Sequence, residues 1–312
     1  MSEFENISII DLVDDFLKRR AVEDDDRNNS FFHPSEFSGC KRKIAYKYYA
    51  YKGAFEHETS ADNIDPKLQR IFSNGHFVHS RWEGYLRDKR CARNMLKGYW
   101  RCKNAYAHEL AWKVDSSKKK EDCQPKIYGK DFTLGILYPD QPCECGCDDY
   151  EYSEIGYYNE EILMGGNVDT ILLTPAGEHI ILDYKSAKSR IFSKIWQKPK
   201  PEHEVQMQCY LYLSGLNHGK FIYECKDDQS LNEVEVYRDE YKIRAIVETA
   251  KLLKEIVTVP KENGKFAIPP RTNSLIPDLD KFAKFEIKKY KEDMMDCKLY
   301  CPFSKICWKK KD

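Results

Sequence analysis

The chain has 312 residues, 41% of them hydrophobic, and its 51 basic and 51 acidic side chains cancel to zero net charge. That length suits one sizeable α/β domain with an accessory layer, or two small domains sharing a core. No apolar run approaches a bilayer-crossing length and the mean hydropathy is -0.70, which excludes an expected membrane span. Zero net charge excludes a broadly basic surface and leaves only local patches for a polyanionic partner.

The opening MSEFENISII has no basic stretch leading into an apolar one. A secretory signal is therefore not expected, and the cytoplasm is the expected compartment. Ile9, Leu12, Val13, Phe16 and Leu17 recur at helical spacing within 4–20. A second helix is expected over CKRKIAYKYYAY, after Ser35 and Ser38. Residues 67–97 carry a third helical pattern through Leu68, Ile71, Phe72, Trp82, Tyr85 and Leu86, with Gly75 as a kink or boundary. Residues 98–160 are the least regular stretch, holding Lys118–Lys120, Pro125, Pro139, Pro142 and CECGC, and read as an insertion or small subdomain.

Gly165 to Leu173 reads as one strand, Pro175 to Gly177 as a turn, and His179 to Lys185 as the hairpin partner. A basic loop through Lys200 leads to a helix over 202–214, strands at 220–225 and 233–237, and a helix over 241–257. A loop over 261–277 and a last helix over 279–295 complete the chain, without internal repeats. The expected division is a helical region 1–66, a core 67–260 carrying the insertion 98–160, and a terminal helix with cysteines over 261–312.

The hairpin is where chemistry concentrates. Alternation along a strand puts Asp183 and Lys185 on one face and Tyr184 on the other, and the hairpin brings Asp169 within reach. Two carboxylates can share a hard divalent ion such as Mg²⁺ or Mn²⁺. An ammonium beside them can hold a water and a phosphate. The other reading is an edge strand with charges in solvent. Against it, Ile180, Ile181 and Leu182 form an apolar run typical of a buried strand, where an unpaired Asp or Lys is costly.

Four motifs follow in order: G-x-x-x-H from Gly75 to His79, G-x-x-D from Gly166 to Asp169, D-x-K from Asp183 to Lys185, and Q-x-x-x-Y from Gln206 to Tyr210. Together they resemble the PD-(D/E)XK nucleases, specifically the RecB-type branch, over roughly residues 70–215. FIYECKDDQ at 221–229 is similar to the next strand of these proteins. The resemblance implies an α/β fold with a restriction-endonuclease-like core, a mixed central sheet flanked by helices and an iron-sulfur-clipped helical region. It implies His79, Asp169, Asp183 and the Tyr184 carbonyl as metal ligands and Lys185 as the catalytic lysine. Gln206 and Tyr210, one helical turn apart, would contact DNA or brace the site.

Twelve cysteines are many for a chain with no sign of secretion, and metal ligation accounts for them better than disulfides. Cys40 precedes the motifs, and Cys297, Cys301 and Cys307 follow them. This layout resembles the branch members that hold a 4Fe-4S cluster, among them CRISPR-adaptation nucleases, the AddB nuclease domain and the nuclease domain of the eukaryotic flap-processing helicase-nuclease. Those families usually space the last three as C-x2-C-x5-C; here the first gap is three residues. A structural zinc on the same four thiols is the rival. A second metal, zinc, is expected in the insertion on Cys143, Cys145 and Cys147, with Cys123 as a distant ligand and Cys91, Cys102 or His108 as substitutes. Cys209 and Cys225 sit in apolar elements and read as core residues.

The expected activity is that of a DNA exonuclease in recombination, repair or replication, with a phage as one source. The alternatives are a structure-specific or flap endonuclease and a non-catalytic iron-sulfur DNA-binding subunit. No Walker A motif is present, so a helicase or recombination protein would be a separate partner. Lys41, Arg42, Lys43, Lys194, Lys198 and Lys200 are expected to contact the DNA backbone. Lys309–Lys311 form another basic cluster.

Overall fold

The helical patterns of the N-terminal half form α1 (Ile9–Glu23), α2 (Lys41–Tyr51) and α3 (Pro66–Arg87). The computed structural model describes residues 8–23, 28–54, 65–104, 126–259, 267–269, 301, 303 and 307. Helix α1 rests on α3, tied by an Asp14–Arg70 ion pair, and leaves much of its apolar stripe outside: Leu12, Val13 and Phe16 are exposed. Asp65 starts α3 by accepting the Lys67 N–H at 2.9 Å, with Pro66 at the first helical position, where its missing N–H costs nothing. The helix runs unbroken through Gly75. It stops short of the expected residue 97 because the Asp88 carboxylate takes the Arg90 N–H at 2.8 Å, turning the chain.

The next segment is more ordered than its composition suggests. After β1 (Leu96–Lys97), strands β2 (Tyr99–Cys102), β3 (Ile127–Tyr128) and β4 (Tyr150–Ser153) form a three-stranded antiparallel sheet in the order β3-β2-β4. Its interior is aromatic. Trp100 meets Tyr138 and Tyr152 edge-on, at 4.9 and 5.3 Å between ring centroids.

Strands β5 (Ile155–Asn159) and β6 (Met164–Val168) pair with each other, whereas β7 (Thr170–Leu173) pairs with β8 (His179–Ala187). The single strand expected over 165–173 is thus two, broken at Asp169. Strand β6 passes close under other chain segments: a Cβ on Gly166 would lie 2.9 Å from Pro34 Cδ, and one on Gly165 would collide with the Tyr158 ring. Glycine is needed there for close approach.

A short helix α4 (Ser189–Phe192) interrupts the basic loop, followed by α5 (Pro201–Ser214), β9 (His218–Cys225), β10 (Leu231–Tyr237) and α6 (Glu240–Thr258). The main sheet has the order β1-β7-β8-β9-β10; β8 and β9 run parallel and the other pairs antiparallel. This is the mixed sheet flanked by helices that the motifs implied. On one face Ile181, Phe221 and Tyr223 pack with Met207, Tyr210 and Leu211 of α5. On the other, Leu182 and Tyr184 meet Trp82 and Leu86 of α3. Each such fully buried aliphatic side chain contributes about 1.5–3 kcal/mol.

A further core joins Phe32, Phe37 and Ile44 to Ile246, Leu253 and Val257 of α6, with Phe303 beside Tyr46. The expected helix over 279–295, Cys297 and Lys309–Lys311 lie outside the described residues; of the four cysteines expected at an iron-sulfur cluster, Cys40, Cys301 and Cys307 are described. No described helix is long and apolar enough to cross a membrane.

Candidate active site

Strand β8 lies inside the sheet, with β7 on one side and β9 on the other, and residues of α5 and α3 pack on its two faces. Asp183 is 2% exposed and the Lys185 side chain 17%; Lys185 Nζ stands 2.7 Å from Asp183 Oδ1. The β7–β8 register pairs Thr170 with Leu182. Continued by one residue, it sets Asp169 opposite Asp183, where cross-strand side chains are about 4.5–5.5 Å apart at Cβ.

Helix α3 brings the third group. His79 Nδ1 lies 3.0 Å from Asp169 Oδ2, and its ring meets Tyr184 edge-on at 5.8 Å. Trp82 stacks parallel on Tyr184 and donates its Nε1–H to Glu224 Oε2 at 3.1 Å, while Arg81 pairs with the same carboxylate. These contacts fix α3 on the sheet and hold His79 in place. From the opposite face, α5 supplies Gln206, whose Nε2–H₂ points to Tyr210 Oη at 3.5 Å, and the buried Tyr210. The structure therefore brings His79, Asp169, Asp183, Tyr184, Lys185, Gln206 and Tyr210 to one region of the sheet.

The electrostatics reflect crowding of carboxylates. Burial pushes the Asp183 carboxyl up; Lys185 pulls it back and Asp169 adds to the rise. Burial opposes a charged His79, but the close contact with Asp169 and the charge of that carboxylate outweigh it and its pKa is raised. Two further acids join the group. Glu83 is raised by burial, opposed by Arg87 at 2.9 Å and reinforced by Asp169. Glu154 is pushed up to about 7 by burial, then by Asp169 and Glu83. Helical spacing could have found Glu83, four residues after His79. Glu154 has no such signal, since it follows β4 in the stretch that looked irregular. His203 was also missed. Its Nδ1 lies 2.8 Å from Tyr223 Oη, and burial followed by Lys185 and Lys200 lowers its pKa to about 3, so the ring is neutral.

The donor set suits a hard cation. Asp169 Oδ2 and Asp183 Oδ1 are buried and accept no well-angled hydrogen bond, although a cationic side chain stands near each. Two buried carboxylates crowded together are expensive, and a divalent ion would relieve both. The ligand atoms of His79, Asp169 and Asp183 are not drawn into a closed cage. Among the described residues, the group whose ligand atoms all lie within 4.8 Å of one another is Cys102, Cys143 and Cys145.

The remaining cysteines and basic groups divide. Cys40 occupies the N-cap position of α2 without a side-chain capping bond, and Cys301 and Cys307 pack against the core that α2 helps form. Arg42 Nη1 lies 3.8 Å from Cys307 Sγ. Cys209 and Cys225 are buried, in line with core roles. Cys123 and His108 lie outside the described residues, and Cys91 is exposed. Lys41 corrects the expected DNA contacts: it is fully buried and donates to the Phe37 carbonyl and, at 2.9 Å, to Gly39 O. A lysine turned inward against backbone carbonyls cannot reach a phosphate. Lys194 and Lys198 are exposed.

The sequence model of the PD-(D/E)XK nuclease superfamily matches residues 35–308. A comparison with curated proteins finds no match. Among solved structures, SSO0001 is similar at 16% identity and a TM-score of 0.42, over 97% of this chain and 98% of that one. LHK-Exo in complex with dAMP is similar at 12% identity and a TM-score of 0.35, over 73% and 88%.

Proposed function

As this chain belongs to the PD-(D/E)XK nuclease superfamily, we propose that it is a divalent-metal-dependent deoxyribonuclease acting as an exonuclease on DNA ends. The observation that carries this reading is the convergence of two buried carboxylate oxygens, Asp169 Oδ2 and Asp183 Oδ1, with His79 Nδ1 3.0 Å from the first and the Lys185 ammonium 2.7 Å from the second. Asp169, Asp183, the Tyr184 carbonyl and His79 would hold Mg²⁺ or Mn²⁺. When bound, the ion supplies a Lewis acid that offsets charge developing on the phosphoryl oxygens. Lys185 orients the attacking water and attracts the phosphate. Trp82 and Tyr184 keep His79 at its distance from Asp169, and Gln206 with Tyr210 braces the α5 side. The exposed Lys194 and Lys198 are suited to the DNA backbone.

Cys40, Cys297, Cys301 and Cys307 are proposed to hold a 4Fe-4S cluster with a structural role. In support, Cys40 begins α2, Cys301 and Cys307 pack on the same core, and the Arg42 guanidinium beside Cys307 suits an anionic group. A cubane holds its cysteine sulfurs farther apart than a single ion does. The biological setting we propose is recombination, repair or replication, beside a separate helicase or recombination protein, with a phage as one source.

The test compares linear with covalently closed DNA, single- and double-stranded, with Mg²⁺, Mn²⁺ or chelator. Release of nucleotides from linear DNA only, and only with metal, is expected. Cleavage of closed circles or at flap junctions would favour the endonuclease. No hydrolysis of any DNA with either metal would overturn the catalytic reading.

A further inference from the structure

Cys102 is the last residue of β2, and the loop holding Cys143, Cys145 and Cys147 leads into β4, the strand paired with β2. The register sets Cys102 opposite Tyr150, which brings that loop to the end of β2. Gly146 adopts φ +81°, a conformation that a side chain would disfavour. There the chain doubles back: Gly146 N–H donates to Cys143 O at 2.7 Å, and Cys143 N–H donates to Cys147 O at 2.8 Å. The loop thereby brings the Cys143 and Cys145 thiols to that of Cys102. Ligand atoms of Cys102, Cys143 and Cys145 lie within 4.8 Å of one another, with the Cys102 and Cys145 sulfurs 3.5 Å apart. Cys147, on the same loop, lies outside that group of three, its thiol donating to Asp149 O at 3.4 Å, and is the nearest candidate for a fourth ligand.

These separations discriminate between metal groups. A tetrahedral ion with Zn–S bonds of about 2.3 Å places its sulfurs about 3.8 Å apart, close to the separation seen here. A cubane would need them much farther apart. Four soft thiolates in a tetrahedron select zinc over hard cations. Cys102 and Cys143 are buried, Cys145 and Cys147 partly so, and none of the four is in a disulfide.

We propose that Cys102, Cys143, Cys145 and Cys147 form a structural tetrathiolate zinc site that closes the three-stranded sheet. The strand supplies Cys102, one of the distant ligands that the sequence left open beside Cys123, and the C-x-C-x-C loop supplies the other three. Zinc binding converts the thiols to thiolates and releases their protons to solvent. With four protein ligands the site has no open position, so its role is mechanical. Strand β4 runs from it to Tyr152, whose hydroxyl lies 3.4 Å from Asp169 O, and on to Glu154 beside the Asp169 carboxylate. Zinc therefore anchors a strand that abuts the candidate active site. The consequence for activity rests on the nuclease reading; metal binding does not.

The test uses the full chain purified without chelator. Elemental analysis should give one zinc per chain at these thiols, and Co²⁺ exchange should produce the intense thiolate-to-cobalt absorption of a tetrathiolate site. Cys102→Ser and Cys147→Ser should each lose that zinc, and Cys123→Ser should keep it. Should the variants fail to fold, alkylation of the wild type followed by mass spectrometry decides: Cys102, Cys143, Cys145 and Cys147 should be protected until chelator is added. Zinc retained in Cys102→Ser, free alkylation of the four thiols in metal-loaded protein, a Cys102–Cys145 disulfide, or iron with sulfide at these residues would each overturn the proposal. Loss of zinc in Cys123→Ser with retention in Cys147→Ser would overturn the fourth ligand.

Discussion

His79 Nδ1 lies 3.0 Å from Asp169 Oδ2, so the middle of a helix and the break between two strands meet at one contact that becomes an ion pair when the imidazole is protonated. Neither residue has the other as a sequence neighbour. Their meeting depends on α3 lying flat on the sheet, which the Trp82–Tyr184 stack and the Arg81–Glu224 pair enforce. The imidazole is thereby poised at the carboxylate that faces Asp183 across the β7–β8 register.

Asp183 and Lys185 are expected to fail differently. Asp183→Asn should abolish Mg²⁺- or Mn²⁺-dependent cleavage and weaken metal binding, as measured by calorimetry. Lys185→Ala should lower turnover by about 100-fold or more while leaving metal affinity nearly intact. Full activity in rigorously purified Asp183→Asn protein would remove both roles.

The raised pKa of His79 makes its pair with Asp169 sensitive to pH. A histidine raised in the folded state contributes stability that is complete below its unfolded value of about 6.5. That stability is lost as pH rises through the folded value. Metal-free wild type should therefore exceed His79→Gln in Tm by most at about pH 6, and by less at about pH 8. A gap that stays constant across this window would mean that the ion pair contributes nothing.

Glu154 has the opposite sign. Its carboxyl is raised to about 7 by burial and by Asp169 and Glu83, so ionising it destabilises the fold. The penalty is absent below the unfolded value, grows as pH rises, and is complete above about 7. Metal-free Glu154→Gln should then be more stable than wild type at alkaline pH by roughly 1–3 kcal/mol, with little difference near the unfolded carboxylate pKa. Urea titrations with and without Mg²⁺ check this, because a bound cation should narrow the gap.

For the terminal cysteines, protein purified without oxygen should carry about four iron and four sulfide per chain. Both should be lost in Cys301→Ser. Stoichiometric zinc without sulfide at Cys40, Cys297, Cys301 and Cys307 would identify a zinc clip instead.

Salt dependence separates the lysines. Each lost phosphate contact should reduce the slope of log affinity against log salt by about 0.9 on duplex DNA. Lys194→Ala with Lys198→Ala should flatten the slope accordingly. Lys41→Met should leave it unchanged, because that side chain is buried against backbone carbonyls.

What was legible in the sequence was local. The apolar run Ile180–Leu182 announced a buried strand, and alternation put Asp183 with Lys185; the turn at Gly177 then returned Asp169 to them. Helical spacing placed His79 on a helix and Gln206 with Tyr210 on another, and carried Glu83 unnoticed. The tertiary structure decided everything that depends on partners distant in sequence. The 165–173 strand splits because β6 pairs with β5 while β7 joins β8, a competition between neighbours that no single segment encodes. Glu154 and Cys102 acquire their settings from the register of β2 with β4, strands separated by a stretch without periodicity. Lys41 read as a surface charge because sequence records that a side chain is basic and not which way it faces. Side-chain chemistry and short-range period are properties of the chain itself, whereas burial and convergence arise only when separate segments pack together.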